Sequence, residues 1–187
     1  MQRFRAGSTR LICLAACVPQ LALAHGDFRA GGVVSGFLHP ILGVDHLSCM
    51  VLLGALSTLG SRFDLMRVPA AFVITASVGT VWGFQLGVPS WTEPAVQVSA
   101  VLLAGLLFHV FLCRLLLIPS ALAFGMLHGM AHGAELTRAA QPVAYGVGFV
   151  LATISLHVLG IGLAEGMKER QAQIRGAVGR LRQQLRR

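Results

Sequence analysis

The chain has 187 residues, 55% hydrophobic and 12% charged, with a mean hydropathy of +0.73. A soluble domain carries about a quarter charged residues, so this composition excludes one and makes the chain a membrane protein. The formal charge of +8 sits at the ends. Arg3, Arg5 and Arg10 open the chain and seven basic residues follow Leu163, while five bases and five acids cancel in between. No nucleic-acid partner is therefore expected. With one lysine, Lys168, and no Gly-rich loop before Lys-Ser or Lys-Thr, the chain also carries no phosphate-binding ATP motor.

Residues 1–24 have the parts of a secretory signal: a basic start, an apolar run from Leu11 to Val18, and Ala22-Leu23-Ala24 as a small-x-small cleavage site. Cleavage predicts a mature chain beginning at His25. An uncleaved first helix is disfavoured because Leu11–Ala24 is shorter than the roughly 20 residues a span needs and Pro19 interrupts it. A lipoprotein box at Leu14-Ala15-Ala16-Cys17 ranks below, since the apolar run before it has only about four of the roughly seven or more residues such signals use. Cleavage leaves Cys49 and Cys113, expected at opposite faces of the bilayer, so no disulfide framework is predicted.

Five apolar spans follow, at about Val33–Leu59, Pro69–Val88, Pro94–Cys113, Leu115–Gly133 and Val143–Leu163. The expected fold is an all-α, polytopic membrane helical bundle over residues 25–163, its first span broken near His39-Pro40. A six-span alternative makes Gly31–His39 its own element. An exported N-terminus and five crossings put the C-terminus in the cytoplasm. The positive-inside rule agrees, because the predicted inner segments carry Arg62, Arg67, Arg114 and the tail. The setting is the bacterial inner membrane. Gly79/Gly83/Gly87 and Gly125/Gly129/Gly133 read as close-packing seams. Residues 164–187 form a basic tail in which Ile174, Val178, Leu181 and Leu185 make one apolar stripe. An amphipathic helix along the anionic inner leaflet, a solvated topogenic tail and a self-association helix all fit it.

Ionisable side chains inside a bilayer cost several kcal/mol unless paired, which makes each a functional candidate. The first span reads His39-Pro40-Ile41-Leu42-Gly43-Val44-Asp45-His46, and the fourth reads His128-Gly129-Met130-Ala131-His132-Gly133-Ala134-Glu135. On a helix His128 and His132 are i and i+4 with Glu135 three further on, so all three share a face. Imidazoles with a carboxylate suit a borderline divalent ion such as nickel, cobalt or zinc, and a second carboxylate, Asp45, would balance its charge. A hydrogen-bonded packing role explains any single histidine here; six such residues at one depth argue for a site. Cys49, Met50, Met126 and Met130 read as apolar filler. His157 is a candidate exit-side ligand, His109 is read as structural, and His25 is a candidate chelator at the periplasmic mouth.

Three strings resemble the HupE/UreJ family of bacterial membrane proteins, which is associated with hydrogenase and urease gene clusters and regarded as nickel permeases. They are His39-Pro40-x-x-Gly43-x-Asp45-His46-x-x-x-Met50, His128-Gly129-x-Ala131-His132-Gly133-x-Glu135, and Ala152-Thr153-x-x-Leu156-His157-x-x-Gly160. The resemblance implies that His39, Asp45, His46, His128, His132 and Glu135 handle metal and that nickel(II) is the transported ion, with cobalt or zinc as alternatives. Two departures stand out: Cys49 replaces an expected small apolar residue, and the basic tail is longer than the family requires.

The favoured function is a permease importing a divalent ion for hydrogenase or urease maturation, not an enzyme. A membrane-embedded zinc hydrolase and a non-transporting metal-binding accessory protein are the competing classes. The expected partners are the ion and the lipid bilayer, and assembly into a homo-oligomer is left open.

Overall fold

Two residues unsuited to a regular helix divide the first apolar run. Pro40 has no N–H to give the helix ladder. Gly43 is extended, with φ −82 and ψ 106. Its N–H closes one helix on His39 O at 3.1 Å, and its carbonyl opens the next by accepting Leu47 N–H at 2.8 Å. The products are α1 (Val33–Leu42) and α2 (Val44–Ser57), bent by 83° at Gly43. The computed structural model describes residues 31–137 and 139–186, so the expected signal peptide, His25 and Arg138 lie outside the described residues. Beyond α2 the chain forms α3 (Asp64–Leu86), α4 (Thr92–Leu106), α5 (Val110–Leu136) and α6 (Pro142–Gln184), with no strand among the described residues.

Helices α3, α5 and α6 are each long and apolar enough to cross a bilayer, and α1 with α2 passes the same test as one bent unit. The protein is thus a multi-pass, all-helical membrane protein, and three boundaries differ from expectation. The third apolar run ends at Leu106, where α4 has 15 residues, about 22 Å of rise against a hydrocarbon core near 30 Å. Arg114, expected in an inner loop, lies instead within the first turns of α5, where its Nε donates to Leu59 O at 2.9 Å. A basic side chain that can reach a loop carbonyl does not have to end a helix; the break falls earlier, at 107–109. The last span and the tail are one unbroken helix of 43 residues, α6. Every described residue from Glu165 onward is exposed, the four-residue apolar stripe included.

Contacts sort the helix ends into two groups. Lys168 Nζ donates to Thr58 O at 2.7 Å and Arg114 to Leu59 O, gathering the α2–α3 turn, the start of α5 and the far part of α6. At the other end Gly31 lies against Ala139 and Ala140.

The glycine seams face each other across α3 and α5. A methyl group on Gly129 would lie 2.0 Å from Ala76 O, and one on Gly79 or Gly83 would lie 2.3 Å from the carbonyl of Met126 or Met130. Only glycine lets two backbones approach so closely. Gly87 is not part of the seam: with φ 75 and no atom within 4 Å of a built Cβ, it caps α3. A second set went unread in the sequence. Gly36 and Gly148 join α1 to α6, and Gly54 and Gly160 join α2 to α6. The apolar core between these pairs includes Cys49, Met50, Phe72, Cys113 and Phe149, and both cysteines are free and buried.

Candidate metal centre

The break at Gly43 sets the first half of the centre. It ends α1 one turn after His39 and begins α2 with Asp45 in its first turn. A helix N-terminus has unpaired N–H groups and a positive dipole end, which favours a carboxylate there even in apolar surroundings. Asp45 Oδ1 accepts the backbone N–H of His46 at 2.9 Å and its ring Nδ1 at 2.8 Å. The second half is the α5 face carrying His128, His132 and Glu135, which the α3–α5 glycine contact holds against the bundle.

Glu135 Oε2 takes two hydrogen bonds, from His132 Nδ1 at 3.2 Å and Tyr145 OH at 3.0 Å, and lies 3.0 Å from His39 Nε2. One ligand atom from each of His39, His132 and Glu135 falls within 4.8 Å of the others, close enough to share a cation. The imidazoles continue inward from there. The His132 ring centre is 4.8 Å from that of His39 and 4.7 Å from that of His46, which in turn is 5.0 Å from His128.

Hydrogen bonds determine which nitrogen of each buried ring is free. A carbonyl only accepts, so His128, whose Nδ1 is 2.8 Å from Phe124 O, must carry its proton there, and so must His157, 2.7 Å from Thr153 O. Asp45 and Glu135 set the same tautomer in His46 and His132. In the neutral ring each Nε2 then keeps its lone pair. All four are buried, and none has a hydrogen-bond partner among the described residues. A buried polar atom without a partner costs about 1–3 kcal/mol, and a ring fixed through its other nitrogen is the usual arrangement of a metal-binding histidine.

All six predicted residues therefore meet where α1, α2 and α5 converge, in two tiers: His39, His132 and Glu135, then Asp45–His46 with His128. His157 is set apart from the cluster; its ring meets that of Phe72, which also meets His128. Cys49 faces α4, with Ser99 Oγ 3.6 Å from its Sγ. His109 is exposed at the α4–α5 break, as the residue preceding α5.

Three participants were not read from the sequence. Tyr145 bonds Glu135; it is the chain's single tyrosine, a signal that could have marked it. Phe149 packs its ring centre 4.1 Å from that of His132, and Phe72 contacts the rings of His128 and His157. Neither phenylalanine differs in type from its apolar neighbours, and no sequence signal marks them.

Helices gathering buried histidines beside two half-buried carboxylates define a multi-pass membrane protein built to handle a cation. The chain belongs to the HupE/UreJ family, whose model, described as HupE / UreJ protein, matches residues 13–184. It is 38% identical over 161 residues to Protein HupE of Rhizobium leguminosarum bv. viciae, covering 84% of this chain and 82% of that protein. No solved structure matches. Because the family match runs to residue 184, the basic tail falls almost wholly within the family pattern, contrary to the expectation that it exceeds it.

Proposed function

We propose that the protein is an inner-membrane permease that imports nickel(II) for hydrogenase or urease maturation, with its N-terminus periplasmic and its C-terminus cytoplasmic. Membership of the HupE/UreJ family supports metal handling and transport. The observation that carries the site is the set of buried Nε2 lone pairs beside Asp45 and Glu135. Lone pairs held dry and unpartnered favour an electron-pair acceptor, and imidazole with carboxylate suits nickel, with cobalt and zinc as lesser cargoes. The two carboxylates offset the charge of a divalent ion.

His39, His132 and Glu135 receive the ion, and His46 and His128 take it deeper. Two donors and the His39 ring already converge on Glu135, so the ion replaces existing contacts with coordination and no group need first be carried into the bilayer. An inside-negative potential favours inward movement of a doubly charged ion by about 4–5 kcal/mol per 100 mV, roughly a thousandfold accumulation without ATP.

The test is accumulation of radioactive nickel in cells lacking other nickel importers. Uptake should depend on this chain and collapse in His132→Ala and Asp45→Ala. Undiminished uptake in both variants would refute the residue assignment. Nickel binding in detergent without flux into proteoliposomes would make the protein an accessory binder instead.

A further inference from the structure

We propose that His157 is a second, inner stopping point for the ion, and that the Phe72 side chain is the movable partition between it and the outer cluster. The proposal rests on the permease reading and adds to it a route and a barrier.

Phe72 on α3 is fully buried, with its ring centre 5.4 Å from that of His128 and 5.0 Å from that of His157. The two imidazoles meet the ring at interplanar angles of 59° and 57°. Both have Nδ1 tied to a carbonyl of their own helix and Nε2 buried without a partner among the described residues. His157, at 1% exposure, therefore repeats the chemistry of the outer histidines at a place the outer cluster does not reach.

The two sites are not continuous. A phenyl ring offers a cation its π face but no lone pair, so an ion leaving His128 meets hydrocarbon before it meets His157. The helices cannot readily part to let it by. A methyl group on Gly125 would lie 2.6 Å from Phe72 O and 3.0 Å from its Cα, and one on Gly54 would lie 2.3 Å from His157 O. With both backbones packed against glycine, the compliant element is the Phe72 side chain, turning about its own bonds between staggered positions. Rotation opens a passage lined at each end by a lone pair; the resting ring keeps it dry. Such a partition passes an ion held long enough to await rotation and resists ions the histidines do not hold.

The experiment compares purified wild type, His157→Leu and Phe72→Ala, by nickel binding in detergent and by flux of nickel and of magnesium into proteoliposomes. His157→Leu should bind less nickel than wild type, the outer cluster still holding its ion, and carry nickel at least about tenfold more slowly, a barrier rise of roughly 1.4 kcal/mol. Phe72→Ala should lose about tenfold or more of the discrimination against magnesium in flux. Wild-type nickel flux in His157→Leu, or unchanged discrimination in Phe72→Ala, would overturn the proposal and leave the permease reading intact. Absence of nickel flux in the wild type would overturn both. If either variant fails to elute as a folded species, His157→Gln and Phe72→Leu replace it and are read the same way.

Discussion

His46 places its ring Nδ1 2.8 Å from Oδ1 of Asp45, its neighbour in the chain, and gives the same oxygen its backbone N–H at 2.9 Å. One carboxylate thus accepts a first-turn N–H of a helix and orients an imidazole. Both functions need a helix to begin at this depth, and the extended Gly43 starts one there. The broken span is in this sense part of the site.

Asp45→Asn should separate the two functions. The amide oxygen still accepts the backbone N–H, but its charge is gone and its hold on the tautomer of His46 is weaker. Second-layer partners of metal-binding histidines contribute about 10–100-fold in affinity, and a loss in that range is expected with the protein still folded. Nickel binding by titration calorimetry in detergent measures it, and an unchanged affinity would contradict the role given to Asp45.

Tyr145→Phe removes one of the two hydrogen-bond donors to Glu135 Oε2. A hydrogen bond to a charged group contributes about 1.5–3 kcal/mol, and the half-exposed carboxylate of Glu135 favours the low end, so nickel affinity should change roughly tenfold with little effect on stability. The same titration checks this, and a change beyond a hundredfold would mean that Tyr145 itself contacts the ion.

Two glycine substitutions should behave oppositely. Gly129→Ala puts a methyl 2.0 Å from Ala76 O and must push α3 and α5 apart, whereas Gly146→Ala meets nothing within 4 Å. The first should lower stability by about 1–3 kcal/mol, the range for overpacking, and should depress nickel binding because it moves His128 and His132. The second should be neutral or raise stability by roughly 0.5–1 kcal/mol through better helix propensity. Thermal unfolding in detergent ranks them, and equal melting temperatures would count against the seam.

Orientation can be read with single cysteines in a background lacking the native ones. Ser90 should label from outside intact cells, and Ser61 and Gln183 only after permeabilisation, as the clustering of bases requires. Labelling of Ser61 in intact cells would reverse the assignment.

Truncation after Glu169 keeps the Lys168 contacts with Thr58 and Glu165 and removes only exposed helix. Exposed ion pairs contribute about 0–1 kcal/mol, so the shortened protein should insert normally, with nickel uptake within about twofold of the full chain. Loss of uptake with normal insertion would give the tail a direct part in transport.

The sequence by itself determined the class of molecule, the family and the six polar residues worth watching. Charge and amide groups are expensive in lipid, so the positions of His39, Asp45, His46, His128, His132 and Glu135 are legible wherever the chain is written down. The helical period also determined that His128, His132 and Glu135 share a face. Only the tertiary structure decided that Glu135 gathers His39, His132 and Tyr145, that four Nε2 atoms end buried without a partner among the described residues, and that Phe72 touches both His128 and His157. It also moved the third break to 107–109 and turned Gly54 and Gly160 into a helix contact. The reason is the solvent. In a bilayer, lipid-facing and protein-facing residues are equally apolar, so periodicity reveals which residues lie together on one helix but not which helix they meet. Contacts between helices depend on close packing of small and aromatic side chains, whose identities at these positions do not differ from their neighbours until the helices are assembled.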